Sequence, residues 1–389
     1  MTRKRIAHIA DLHVDANPEV SLRCLEFAYA AALASGVDAV VIAGDVWHRG
    51  IYADDRSPLV RTLAMTRELS AQVPVVIIKG NSHDMPGSLD VFREIADEKH
   101  RIYVATEPNM VYTGGIGFAL LPYPDKAHLM NWATSSDQDE TDRTAEDAIR
   151  MICGGFAAEF EMFPASETCP RVLVFHGNVR GCSVDSGQVL LGGDVLVGAD
   201  DLESSTADYV AMGHIHKRQQ MGTRCHYSGS IHHVSHGETG PRVMLLVDVW
   251  RGGYEIVDEI KLPSRAKVTV TGKRLTPLNG NSYTAWDFDP DEAREALRDA
   301  DVKMRISMTP EQAESYDSLV DISYLQDFYH TNSVDVERVP IRGERTARAE
   351  SITTTHSLRG KVEAWGEATN TEIPDGTLNK ADAVEGGAR

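Results

Sequence analysis

The chain has 389 residues, 42% of them apolar and 25% charged. These proportions exclude wholesale disorder and exceed one ordinary core, so two domains and a tail are expected. A formal charge of −19 argues against a protein that grips nucleic acid over its whole surface, and the lack of a run of about 18 apolar residues argues against a helical membrane span. The charge does not exclude a nuclease, because metal ions and local basic clusters supply positive charge where it is needed. The N-terminus, MTRKRIAHIADLH, has the basic-then-apolar order of a signal peptide. Its apolar part is too short for one. Five scattered cysteines (Cys24, Cys153, Cys169, Cys182, Cys225) form no CxxC pair. They are expected to be reduced, in a cytoplasmic protein.

Residues 5–10 read as a buried strand and 19–35 as a helix with Gly36 as its C-cap. A second strand, 38–43, ends at Gly44-Asp45. A loop and helix cover 52–72, and a third strand, 73–78, ends at Gly80-Asn81. A helix over 88–98 and a strand over 101–105 follow. This alternation predicts strands buried by helices, with any site beyond their carboxyl ends. Residues 110–121 predict two short strands around Gly114-Gly115, and 133–143 an exposed acidic loop. Residues 143–161 suit an amphipathic helix, and strands return at 171–175, 208–212, 223–228 and 242–249. After Pro263 the pattern changes to a small α+β unit. It has strands at 266–273, 302–308 and 333–340 and helices at 290–299 and 310–318. Asp289-Pro290 and Thr309-Pro310 are helix starts. Residues 355–368 read as helical and 369–389 as a polar, partly disordered end.

Seven metal-ligand side chains stand at predicted strand ends: Asp11, His13, Asp45, Asn81, His176, His214 and His216. A lone DxH or GD is commonly a turn, and a lone histidine such as His176 is commonly structural. Five such motifs in succession are not explained that way. Mixed His, Asp and Asn ligation suits manganese, iron or zinc. Two such ions with a shared carboxylate would activate water and neutralise a phosphoryl group.

The order D-x-H, GD, GN-x-HD, H, G-H-x-H resembles the calcineurin-like metallophosphoesterase superfamily. Within it, the chain is similar to the SbcD and meiotic-recombination-eleven type DNA double-strand-break repair nucleases. GDVWH (44–48), FHGNVRG (175–181), YVAMGHIHKRQ (209–219) and YSGSI (227–231) carry the closer likeness. It covers about residues 1–262, and the later α+β unit matches the family's DNA-capping domain in kind and placement.

The resemblance implies a four-layer α-β-β-α sandwich over 1–262, a capping domain over 263–345, and a C-terminal helix and flexible tail over 346–389. It implies one metal held by Asp11, His13, Asp45 and His216, and a second held by Asp45, Asn81, His176 and His214. Manganese is the expected ion. His48 would position DNA or phosphate. His83 would protonate the leaving oxygen, although Ser82 stands between it and Asn81 where the family reads GNHD. Either the loop absorbs Ser82 and His83 still faces the phosphate, or His83 points away. The implied activity is exonucleolytic or endonucleolytic cleavage of double-stranded ends and single-stranded regions in repair or recombination. The implied partners are an SMC-like ATPase of the SbcC type, docked on the helix bearing Leu358, Val362, Trp365 and Ala368, and a second copy of the chain. A phosphatase or small-molecule phosphodiesterase is the first alternative. Asp84 argues against it where protein phosphatases read GNHE, as does the separate second unit. A metal-binding, non-catalytic role is the second.

Lys217, Arg218 and Arg224 are candidates for phosphate contact beside the GHIH strand, and Arg338, Arg342, Arg345 and Arg348 form a basic run for which DNA contact and plain solvation are equal readings. His226, His232, His233 and His236 are expected at the rim of the site rather than as ligands.

Overall fold

The computed structural model describes residues 2–14, 18–48, 56–81, 84–85, 87–124, 138–163, 167–185, 188, 195–276, 282–341, 355–369 and 371–386. The chain divides into two compact units. One comprises Met1–Thr269, Asp289–Lys303 and Ile322–Asp335; the other comprises Val270–Phe288, Met304–Asp321 and Val336–Arg389.

In the first unit, strands β1 (Lys4–Ile9), β2 (Ala39–Ile42), β3 (Val75–Ile78) and β4 (Ile102–Ala105) alternate with helices α1 (Pro18–Ala34), α2 (Ser57–Ser70) and α3 (Asp90–Glu94). The hairpin β5 (Asn109–Thr113) and β6 (Ile116–Leu121) follows, then α4 (Gln138–Phe160), β7 (Arg171–His176), the short pair β8 (Asn178–Val179) and β9 (Leu196–Val197), and α5 (Ala199–Glu203). Next come β10 (Tyr209–Gly213), β11 (Gln219–Met221), β12 (Cys225–Tyr227) and the long hairpin β13 (Val243–Trp250) and β14 (Gly253–Lys261). One six-stranded sheet runs β14-β13-β1-β2-β3-β4 and the other β11-β12-β10-β7-β6-β5.

Three apolar layers make this a four-layer sandwich. Ala7 and Ile9 of β1 face Leu25 and Ala28 of α1 and Phe92 of α3. Ile6 and Ala10 face the opposite way, toward Val172, Val174 and Tyr209 of the second sheet. Leu173 and Phe175 pack outward on Ile149 and Phe156 of α4. Central strands are thus buried on both faces, which is why they read as unbroken apolar runs rather than alternating ones. Burying each large aliphatic side chain stabilises by about 1.5–3 kcal/mol. The central parallel strands also end level: Ile9 pairs with Ile42, and Ile42 with Ile77. The loops after β1, β2 and β3 therefore emerge side by side.

Later in the chain, β15 (Lys267–Leu275), β16 (Tyr283–Trp286), β17 (Asp301–Met308) and β18 (Ser333–Pro340) form a four-stranded sheet in the order β16-β15-β17-β18. Helices α6 (Pro290–Leu297), α7 (Pro310–Ser315) and α8 (Ser318–Tyr329) accompany it in sequence. The expected caps are present. Asp289 accepts from the Asp291 and Glu292 N–H groups, and Thr309 and Gln312 form a capping box.

Several expectations need correction. The nine-residue β14 was not foreseen, because only pairing along the full length of β13 shows that its polar, half-exposed sequence is extended. The helix expected over 88–98 is the five-residue α3. The helix from Pro310 stops at Ser315, and α8 begins afresh at Ser318. The helix expected over 355–368 is α9 (Leu358–Thr369), but the end expected to be partly disordered, 369–389, carries a further helix, α10 (Asp375–Gly386). Short isolated helices are marginal in water. Here Leu378 and Ala381 are buried, Arg359 of α9 pairs with Asp382 at 2.6 Å, and the Leu358 N–H donates to Glu385.

Candidate dinuclear metal centre

The ligand loops leave their strands sharply. Asp11 (φ 51°), His13 (φ 39°), Asp45 (φ 51°) and His214 (φ 98°) all have left-handed backbone. Such conformations cost of order 1–3 kcal/mol at non-glycine positions and cluster at functional sites. Cross-links between the loops hold the strain. The Asp11 N–H donates to Gly44 O and the His13 N–H to Asp45 O, both at 3.0 Å. The His214 N–H donates to the Asp11 carboxylate at 2.9 and 3.1 Å.

The glycines before the ligands have a steric reason. A Cβ at Gly44 would overlap the His176 ring, one at Gly80 the Asp45 carboxylate, and one at Gly213 the Ala43 carbonyl. GD, GN and GH are therefore places where one ligand loop passes against another.

The side chains converge into two groups of potential ligand atoms. Asp11, His13 and His216 form one; Asp45, His176 and His214 form the other. Asp45 faces both, with Oδ2 3.7 Å from His13 Nε2 and Oδ1 3.5 Å from His176 Nε2. All six side chains are buried. The nitrogens point inward at one another: His13 Nε2 and His216 Nε2 are 3.1 Å apart. A carbonyl only accepts, so His176 donates its Nδ1–H to Ala43 O at 2.7 Å. That leaves Nε2 buried without a hydrogen-bond partner, facing Asp45 Oδ1. Such a nitrogen against carboxylate oxygen fits a divalent cation in place of a proton. Asn81 joins the second group, its Nδ2 lying 3.5 Å from His214 Nδ1 while its backbone N–H donates to Asp45 Oδ1 at 2.9 Å. The His48 ring stands edge-on to His13 with centroids 5.5 Å apart. Ser82 and His83 lie outside the described residues.

The electrostatics match a site built for positive charge. Burial and the neighbouring Asp45 push the Asp11 carboxyl above its ordinary value, against the pull of His176 and His216. Burial alone would lower His176, but the Asp45 charge outweighs it and holds the ring near 9. His216 is likewise raised despite burial, by its hydrogen bond to Glu238 and the charges of Asp11 and Glu238.

The supporting roles of several residues escaped the sequence reading. Glu238 accepts from His216 Nδ1 at 2.7 Å and is itself held by Arg242, whose guanidinium also meets His216 O. Asp84 accepts from the Gly80 N–H at 2.8 Å and the Trp47 N–H at 3.2 Å, tying two ligand loops together. Gln188 bridges the GHIH turn through His214 O and the His216 N–H. Tyr123, just after β6, has its ring 5.8 Å from His214 and 6.2 Å from His176. A polar aromatic at the same strand edge as the ligands was the available signal for Tyr123; nothing local marked Glu238.

Other expectations resolve differently. Tyr227 of the YSGS turn is structural: its hydroxyl donates to Gly177 O and accepts from the Val179 N–H. His226, His232 and His233 do not line a rim. Each is buried and hydrogen-bonded, to Tyr254, to Leu12 O and to Ser264 respectively; His236 is half-buried. Arg218 is occupied by Glu259, and Arg224 by Ala207 O. Arg338 packs over Tyr316, while Arg342, Arg345 and Arg348 lie outside the described residues.

A four-layer sandwich with two groups of histidines and carboxylates at its strand ends defines a metal-dependent phosphoesterase. The calcineurin-like phosphoesterase family model matches residues 4–218, more than half of the chain, and the chain belongs to that family. It is also similar to the SbcD subunit of nuclease SbcCD from Bacillus subtilis (strain 168), with 28% identity over 327 residues, 78% of this chain and 79% of that protein. Among solved structures it matches a dimetal phosphatase from Danio rerio with TM-score 0.41 and 13% identity, over 67% of this chain and 98% of that one. The latter likeness is too distant to carry an argument. No helix among the described residues is long and apolar enough to cross a membrane.

Proposed function

We propose that this chain is the nuclease component of a DNA end-processing machine, hydrolysing phosphodiester bonds in repair or recombination. The observation that carries the reading is Asp45 placed between two ligand groups. The likeness to a nuclease component over most of both chains supports the choice of substrate. Asp11, His13, Asp45 and His216 would hold one ion, and Asp45, Asn81, His176 and His214 the other, with manganese the expected metal. When bound, such a pair lowers the pKa of water and neutralises phosphoryl charge.

The chain's own residues then supply positioning and proton transfer. His48, beside His13, orients the phosphate. His83 donates the proton to the leaving 3′ oxygen. Asn81 and Asp84, on either side of Ser82-His83 in the chain, are both tied to ligand loops, Asn81 to Asp45 and Asp84 to Gly80 and Trp47. The division into a nuclease domain (1–262), a DNA-capping domain (263–345) and a C-terminal docking region (346–389) belongs to the same reading. So do a homodimer, a cytoplasmic location and an SMC-like ATPase of the SbcC type docked on α9. Leu358 and Trp365 of α9 are exposed, as docking requires.

The test is an assay of purified protein with manganese on duplex DNA, single-stranded DNA and bis-p-nitrophenyl phosphate. Cleavage of DNA is expected. Turnover of the small ester alone would replace the reading with a small-substrate phosphodiesterase. Two bound metals without turnover would replace it with a non-catalytic role.

A further inference from the structure

The layer between the two sheets is mainly apolar and holds a buried polar pair on β1 and β10. Ile6 and His8 of β1, and Ala10 just after it, share the face toward the second sheet. His8 is fully buried there and bridges to β10. Its Nε2 lies 3.2 Å from Met212 O, and its Nδ1 lies 2.9 Å from the Tyr209 hydroxyl. Burial pushes the ring down to about 3, so it is neutral. A carbonyl only accepts, so Nε2 carries the proton and Nδ1 accepts from Tyr209. The chain of contacts continues. Tyr209 stacks on His226 with centroids 5.5 Å apart, and His226 Nε2 meets the Tyr254 hydroxyl at 2.7 Å. Tyr254 lies on β14, back in the first sheet.

Nothing in the metal centre uses these groups, and a buried imidazole–phenol pair is costly compared with leucine and phenylalanine. Its position is informative. His8 lies three residues before Asp11 and Met212 two before His214, on the strands that bring ligands from opposite sheets. Apolar packing is non-directional and does not by itself set how far one sheet slides along the other. One residue of slip displaces a strand by about 3.3 Å, whereas ligand distances tolerate about 0.2 Å. Directional contacts across the sheets fix the offset; at β1 and β10 these are His8 to Met212 O at one end and the His214 N–H to Asp11 at the other, and elsewhere His176 to Ala43 O and the Gly252 N–H to Asp208.

We infer that His8 and Tyr209 are positioning residues, a hydrogen-bonded clamp that sets β1 against β10 so that Asp11 and His214 present their ligand atoms to the same dinuclear centre. The inference rests on the metal-centre reading, and the two fail in different ways.

The test uses the full chain and two measurements, thermal unfolding of the metal-free protein and calorimetric titration with manganese. His8→Leu/Tyr209→Phe keeps the volume and removes the clamp. It is expected to unfold within a few degrees of the unmodified chain, while manganese affinity falls about tenfold or more. His8→Gln has an amide oxygen and nitrogen spaced like the ring nitrogens. It is expected to recover most of the affinity. Equal affinity in the double variant and the unmodified chain overturns the clamp. So does a loss of affinity no larger than the loss of metal-free stability. Should the double variant not fold, a folded His8→Gln chain that binds manganese more than tenfold more weakly overturns it too. An unmodified chain that binds no manganese overturns the metal-centre reading instead.

Discussion

His216 and His176 occupy matching places in the two halves of the centre and are held in opposite ways. His216 donates Nδ1–H to a buried carboxylate, Glu238, which is held by a buried arginine. His176 donates Nδ1–H to a neutral backbone carbonyl, Ala43 O. A carboxylate partner fixes the ring and makes it a stronger base; a carbonyl fixes the ring and adds little charge. The first arrangement can be removed by one substitution. The second is a backbone carbonyl just after β2 and cannot be removed without moving that chain segment. The two halves thus carry different vulnerabilities.

Removing what the halves share has the largest effect. Asp45→Asn is expected to lower hydrolysis by about 10³-fold or more, since several kcal/mol of charge stabilisation depend on it. Metal analysis should find fewer than two ions per chain, and two ions with normal turnover would remove Asp45 from the bridging role. Next is His83→Ala, expected to slow hydrolysis by about 10²–10⁴-fold with metal content unchanged. An unchanged rate would mean that Ser82 has turned His83 away.

Glu238→Gln separates the halves. It keeps an acceptor for His216 but deletes the charge, and should weaken one of two metal-binding steps by about 10–100-fold. Equal weakening of both steps, resolved by calorimetry, would show that the halves do not differ as described.

The smallest effect is that of pH on the metal-free protein. His176 is held near 9, well above its unfolded value near 6.5. Its contribution is present below about pH 6.5 and lost as pH rises through 9. His8, His226 and His233 are depressed by burial to about 3, 4 and 4. They remain neutral while the unfolded chain protonates, so stability is lost as pH falls below about 6.5. Thermal unfolding in chelator should therefore peak near pH 6–7, and added metal should abolish the alkaline decline. A decline that persists with metal bound would assign it to other groups.

Local signals carried much of the first sheet and of the ligand set. The runs before Asp11, Asp45 and Asn81 are apolar because helices and a second sheet cover both faces, and the glycines before Asp45 and Asn81 have a steric reason. Supporting residues were not legible. Glu238 lies 22 positions from His216 in a segment with no motif of its own, and Asp84 read as the last letter of a motif rather than as a tie between Gly80 and Trp47. β14 and α10 were missed for a related reason, since their polar sequences take regular structure only against a partner strand or helix.

The sequence by itself determined which residue types stand at the strand ends, in what order, and with which glycines beside them. That is enough to specify ligand chemistry, because strand period and turn geometry are local. Only the tertiary structure decided that Asp45 faces both groups, that His216 is held by a carboxylate and His176 by a carbonyl, and that His8 ties β1 to β10. Those facts depend on residues distant in the chain meeting within about 3 Å, a distance set by how two sheets pack and not by any one stretch of chain.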